Sequence, residues 1–315
     1  MKRFNKEFIS FLVGCVIFML AIMLVGHLLY YPEDSYMLGY IKKHERAEKI
    51  EGEKILLVGG SSLAFGINSE ILSEELKTPV VNMGHISGQG IDYRLNEIYP
   101  FVKKGDTVIL SIEYDILNGE TDPIVVWDTF EANPHSLKHF GLSTYKVFFD
   151  EAILHGLNAT FNRMIYELSG GQVHDSLYVV DSFNDLGDFT AHYDTTIERK
   201  PFVSNMCVFR KKEMDYSIKR LRNFHEYCRS NGAKVYMIMP RIPTPSYELS
   251  KDGLGRIIKA ISSITEVGIL NKIEEIPLAD SYFYDSHYHL NLSGVRINTA
   301  DFVNWIKPVL EPVSH

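Results

Sequence analysis

Apolar positions divide the chain into one long unbroken run and a longer stretch of short alternating segments. Residues 8–31 contain no charged side chain and are dominated by Phe, Leu, Ile, Val and Met. As a helix, that run is long enough to cross the hydrocarbon core of a bilayer. From residue 54 onward, short apolar runs alternate with amphipathic ones, which predicts strands at 55–58, 80–82 and 107–112 separated by helices at 70–76 and 91–102. The rhythm resumes with a helix at 213–231 stopped by Gly232, a strand at 234–239 closed by Pro240, and a helix near 255–264. A last helix runs from about Ser293 to Trp305, ahead of Pro308. Helices interleaved with apolar strands predict an α/β fold with three α/β/α layers around a mainly parallel sheet, preceded by one transmembrane helix.

The flanks orient that helix. Lys2, Arg3 and Lys6 precede it and Glu33 and Asp34 follow, so residues 1–7 are expected in the cytoplasm and everything after residue 31 outside. Tyr30 and Tyr31 suit an interfacial belt. A cleaved signal peptide would need a small-residue site, which Gly26-His-Leu-Leu-Tyr-Tyr31 supplies poorly. Leu12-Val-Gly-Cys15 matches a lipobox, but cleavage there would leave a long apolar run attached. The expectation is an uncleaved signal anchor over 8–31, giving a single-pass membrane protein with an extracytoplasmic domain. Residues 32–53 read as a juxtamembrane linker or helix, and the folded domain as 54–315. Between 119 and 212 the pattern breaks into aromatic, histidine and aspartate-rich segments with a turn at Ser169-Gly-Gly171. Such an insertion is expected to be a lid or binding region.

Composition narrows the functional classes. With 40 Asp+Glu against 32 Lys+Arg, the chain lacks the basic excess that phosphate neutralisation requires, which argues against nucleic acid as a partner. Of the 3 cysteines, Cys15 lies in the apolar run, leaving Cys207 and Cys228, too few for a disulfide framework. Cys228 falls on a predicted helix, so two buried thiols are expected.

The candidate chemistry begins at Lys54-Ile-Leu-Leu-Val-Gly-Gly-Ser-Ser-Leu-Ala-Phe-Gly66. Open parallel sheets bind ligands at the carboxyl ends of their strands, and Gly59 to Ser62 take that position after the first strand. A P-loop would need a lysine that this loop lacks. A serine there needs a base and a group to orient it. Tyr284-Asp-Ser-His-Tyr-His-Leu-Asn-Leu-Ser-Gly294 offers Asp285, His287 and His289. Taken alone, the same three residues also suit a metal site. His135 and His139 share a helical face without a third ligand and read as exposed histidines on the insertion. Arg241 ends a core strand at the same edge as the other motifs, where it can meet an anionic polymer or make a structural ion pair. Tyr282-Phe-Tyr284 is a candidate sugar-cleft lining.

These segments resemble the SGNH or GDSL-type hydrolases, in particular the membrane-anchored branch acting on bacterial cell-surface polymers. Val58-Gly-Gly-Ser61 looks like the first block, with Gly60 where the family's aspartate stands. Asn82-Met-Gly-His-Ile-Ser-Gly88 looks like the second and His289-Leu-Asn-Leu-Ser-Gly294 like the last. The resemblance implies a flavodoxin-like strand order, Ser61 as nucleophile, His289 as base with Asp285 as its partner, and an oxyanion hole from Ser61 and Gly88. In the third block, Ile112-Glu-Tyr-Asp115 lacks the family's asparagine, and Tyr114 would take its place, as in alginate O-acetyltransferase-like proteins. Asp285 stands four residues before His289 instead of three, which makes His287 an alternative base.

The resemblance implies serine-dependent acyl, especially acetyl, transfer to or removal from a cell-envelope polysaccharide, without metal or organic cofactor. A multi-pass membrane acyltransferase is an implied partner. The competing expectation is an inactive domain of the same fold that holds glycan or serves envelope assembly, because losing one oxyanion donor costs about 100- to 1,000-fold in rate.

Overall fold

The computed structural model describes residues 2–31, 33–171, 177–195, 203–264 and 267–310. Helix α1, Lys2–Tyr30, includes a stretch, Phe4–Leu28, with mean hydropathy 2.9, long and apolar enough to cross a membrane.

The polar stretch at 32–53 is not a free spacer. A 3-10 turn at Tyr36–Leu38 leads into α2, Gly39–Lys49, and Met37, Lys43 and Ala47 are buried. The Lys43 ammonium donates to the carbonyls of Asn82, at 3.2 Å, and of Gly187. Burial pulls it down to about 7. Few apolar residues make this contact, so no hydrophobic period marks it in the sequence.

Strands β1 (Ile55–Gly59), β2 (Val80–Asn82), β3 (Thr107–Ser111) and β4 (Lys234–Met237) are followed by the two-residue strands β5 (Ile242–Pro243), β6 (Gly268–Ile269) and β7 (Pro277–Leu278). Five form one parallel sheet in the order β2-β1-β3-β4-β6, while β5 and β7 pair separately. The helices are α3 (Ser61–Ala64), α4 (Ser69–Leu76), α5 (Gly90–Asn96), α6 (Tyr114–Leu117), α7 (Pro123–Ala132), α8 (Leu142–Val147), α9 (Ile153–Leu168), α10 (Lys211–Ser230), α11 (Thr244–Ile261) and α12 (Leu292–Leu310).

Every residue of β1 is buried, as a strand covered on both faces must be. Side chains alternate between two cores. Leu56, Val58 and Leu110 pack with Leu95 of α5, Phe224 of α10 and Ile257 of α11. Ile55, Leu57 and Ile109 pack with Leu72 of α4 and Phe302 of α12. The sheet therefore has helices on both sides.

Several boundaries differ from the sequence expectation. α5 ends at Asn96 and a 3-10 turn, Tyr99–Phe101, accommodates Pro100. α11 begins at Thr244 because Pro245 sits in its first turn, where a missing N–H costs nothing. α12 continues through Pro308 to Leu310. The 119–212 insertion is largely helical, with α7 to α9; its residues 172–176 and 196–202 lie outside the described residues.

Candidate active site

The strand order reverses between β1 and β3, whose register aligns Gly59 with Ser111. Chains leaving these two strands therefore emerge side by side at the switch point where open α/β sheets bind ligands. Ser61 opens α3 after β1, and Glu113, Tyr114 and Asp115 follow β3. Ser61 and Asp115 border a cleft of about 1070 Å³ whose lining also includes Gly88, His287 and His289.

Glu113 fixes the turn that carries Ser61. Its fully buried carboxylate accepts the N–H groups of Gly60 and Ser62, each at 2.9 Å. A Cβ built on Gly60 would stand 2.5 Å from Glu113 Oε1. A carboxylate supplied from β3 thus occupies the space beside the turn that a side chain at position 60 would need.

The loop bearing Asp285 and His289 is closed by an isolated antiparallel bridge between Phe283 and Leu290. Inside it, Ser286 Oγ accepts the N–H groups of Tyr288, at 3.2 Å, and His289, at 3.1 Å. This tight turn absorbs the four-residue spacing and leaves His289 Nδ1 at 2.7 Å from Asp285 Oδ1. The other carboxylate oxygen accepts the Tyr178 hydroxyl from the insertion. Burial acts to raise the Asp285 carboxyl, but the hydrogen bond and charge of His289, with the Tyr178 hydroxyl, hold it below its ordinary range. The His289 ring lies flat on Phe65, with centroids 3.8 Å apart and planes 7° from parallel. Carboxylate and phenyl together fix the ring's position and leave Nε2 as its free nitrogen.

His287 lines the same cleft, but its Nε2 lies 3.3 Å from Ser204 Oγ. Among the described residues, it is His289 that pairs with a carboxylate, Asp285. Among the described residues no hydrogen bond joins Ser61 to His289, and no group of three His, Cys, Asp or Glu side chains is arranged to hold a metal. Catalytic hydrogen bonds commonly tighten only when substrate is bound.

Gly88 has φ +92 and stands 3.0 Å, measured from a built Cβ, from Asp122 Cβ. Its loop is held by buried Arg94, which donates to Ile86 O at 2.5 Å and Gln89 Oε1 at 2.7 Å. Gly88 and Ser61, the two positions from which the resemblance draws backbone oxyanion donors, both border the cleft.

Tyr114 does not complete that set. Its side chain is fully buried, it does not line the cleft, and its hydroxyl donates to Pro240 O at 2.7 Å. The reason is local: residue 114 starts α6, which turns the side chain into the core beside Cys207. Arg241 is likewise committed elsewhere. It donates to Asn298 Oδ1 at 3.1 Å, Glu275 O at 2.6 Å and Asp301, and lies over the Trp305 ring. Of the two roles the sequence left open for Arg241, the structural ion pair is the one observed.

No family model and no curated protein matches this chain.

Part of the cleft wall is acidic, with Asp115, Glu120, Asp122 and Asp128, where Arg210 pairs with Glu120 at 3.1 Å. Burial and nearby Glu113 push Asp115 up to about 7, and its Oδ1 is buried without a partner. Burial and Glu131 raise Asp128 to about 6. Sequence reasoning missed this wall, as it missed Glu113, Phe65 and Tyr178. Glu113 had a signal, the absence of a carboxylate at position 60; Tyr178 had none, since only the fold brings it to Asp285. His135 and His139 lie on a 3-10 helix, Pro134–His139, with His139 edge-on to Tyr93 at 5.7 Å. Cys207 and Cys228 are buried, free thiols, both pushed up to about 12 by burial.

Proposed function

We propose that this protein is a membrane-anchored, SGNH-like serine enzyme that moves acyl groups, acetyl foremost, on or off a cell-envelope polysaccharide. The observation that carries the reading is His289, paired with Asp285 behind it, bordering the same cleft as Ser61 at the β1/β3 switch point. Ser61 Oγ attacks the acyl carbonyl, its proton passes to His289 Nε2, and Asp285 stabilises the imidazolium. The N–H groups of Ser61 and Gly88 receive the developing oxyanion. The alcohol leaves with the proton from His289. Water or a sugar hydroxyl, deprotonated by the same histidine, then resolves the acyl-enzyme.

The acidic wall supports a neutral or amine-bearing glycan over a polyanion, because like charges in a cleft with low-dielectric walls repel strongly. With α1 as anchor and the domain outside the cytoplasm, acyl groups would arrive across the membrane, consistent with a multi-pass acyltransferase partner.

The test is turnover of p-nitrophenyl acetate and fluorophosphonate labelling by the full chain in detergent, with Ser61→Ala and His289→Ala as controls. Turnover and labelling that vanish in both variants support the reading. A folded wild type that does neither sinks it, and favours the second reading, a silent glycan-holding domain. That alternative draws on one observation, the commitment of Tyr114 to Pro240, which leaves two backbone donors for the oxyanion.

A further inference from the structure

The insertion runs beside the outer end of α1. A Cβ on Gly26 would overlap Thr160 of α9, and Arg163 of α9 lies 5.7 Å from the Tyr31 ring. Gly26 falls within the apolar stretch that ends at Leu28. A helix packed against the side of α1 at that level sits at bilayer depth wherever α1 spans the membrane.

The surface of α9 matches such a position. Gly156 and Thr160 face inward, Gly156 against Trp127. On the outward side, Leu154, Phe161, Ile165 and Leu168 form a stripe of helical period, 46% to 71% exposed. His155, Asn158, Ala159, Asn162 and Tyr166 occupy the neighbouring arc, so the outward surface is itself divided into an apolar and a more polar half. The π-helical turn that precedes α9, Phe148–Ala152, adds Phe149, 67% exposed. The charged residues of α9 are Arg163, whose guanidinium pairs with Glu131 at 3.2 Å, and Glu167 in its last turn, neither of them on the apolar stripe. An outward face of a water-facing helix would carry charge; an interfacial helix carries this division instead.

We propose that the apolar stripe of α9 is seated in the outer-leaflet interface of the lipid bilayer, making the insertion a second membrane contact beside α1. The inference rests on the anchored reading of α1. It gives the insertion a role distinct from the expected lid, since it fixes the domain's orientation as well as its attachment.

The experiment is spin labelling of the full chain, with Cys15→Ala, in vesicles of phosphatidylcholine and phosphatidylglycerol. Single cysteines go at Phe161 and Ile165 on the stripe, at His155 and Ala159 on the other arc, and at Leu20 in α1. Collision with oxygen, which partitions into lipid, is compared with collision with a water-soluble nickel chelate. Stripe labels that favour oxygen several-fold more than the labels at 155 and 159 support the proposal. Nickel access at 161 and 165 equal to that at 155 and 159, with Leu20 in lipid, overturns it while leaving the anchor intact. Nickel access at Leu20 as well overturns both. Stripe labels open to nickel in vesicles yet shielded from both reagents in native membranes would mean that a protein, not lipid, covers the face, which also overturns it. Phe161→Trp quenched by brominated lipid provides a cysteine-free version with the same two outcomes.

Discussion

Glu113 and Gly60 are spatially exclusive: the carboxylate that ties down the serine turn lies where any side chain at position 60 would have to go. Gly60→Asp alone should therefore clash and unseat the turn, while Glu113→Ala leaves two buried N–H groups without acceptors, costing roughly 2–5 kcal/mol. Combining Gly60→Asp with Glu113→Ala moves the carboxylate from β3 to the turn itself. The double variant is expected to recover part of the stability lost by each single change. A double-mutant cycle by urea denaturation checks this, and simple additivity would refute the exclusion.

Tyr114→Phe separates two accounts of that phenol. As an oxyanion donor its loss would cost about 100- to 1,000-fold in turnover. Its bond to Pro240 O predicts a different result: stability lower by about 1–2 kcal/mol, with turnover changed by less than about threefold. Parallel denaturation and ester-hydrolysis measurements decide between them.

Asp285→Asn should leave the fold intact and lower turnover by about 1,000- to 10,000-fold, because an amide can donate to His289 Nδ1 and fix the wrong tautomer. Tyr178→Phe removes the second bond to the same carboxylate. A loss of no more than about tenfold is expected there, since His289 keeps its partner. A Tyr178 variant as inactive as Asp285→Asn would show that the insertion does more than support the pair.

Asp115 predicts a pH dependence. Its carboxyl is raised from 3.8 to about 7, mainly by burial. The native state therefore holds a proton that the unfolded chain releases within that window. The stability this group contributes is complete below about 3.8, declines as pH rises and is gone above about 7. Asp115→Asn stays neutral throughout. It should match wild type near pH 4 and exceed it at pH 8 by an amount on the order of a few kcal/mol. Equal differences at both pH values would contradict the assignment.

The parallel sheet was legible because its central strands β1 and β3 are buried on both faces and read as apolar runs, Ile55 to Val58 above all. Ser61, Asp285, His287 and His289 were legible as residues, and the fold brings all but Asp285 to the cleft lining, with Asp285 behind His289. What the sequence concealed were contacts made by single residues across long separations. Tyr178 meets Asp285 across 107 positions, and Lys43 reaches Gly187 across 144, through one polar group each. Such contacts leave no periodicity. Tyr114 was misplaced for the converse reason: a motif block locates a residue just past a strand without saying whether its side chain turns outward or into the core, and for the same reason Arg241 stayed open between a polymer contact and the ion pair it makes.

Residues 34–37 form part of the cleft wall, with Tyr36 clamped to His85 through reciprocal hydrogen bonds of 3.0 and 3.1 Å. Asp34 follows Tyr31 by three positions, a reach of at most about 10 Å. A domain on a long leash samples a hemisphere of solvent; this one has no leash. On the proposed anchored reading, its catalytic groups would work in a thin layer parallel to the bilayer, and encounters would depend on lateral diffusion and on polymer strands passing close to the membrane. Because the wall begins at Asp34, extra chain inserted between Tyr31 and Asp34 would lengthen the tether while leaving the wall itself in place, so reach and cleft geometry can be varied separately.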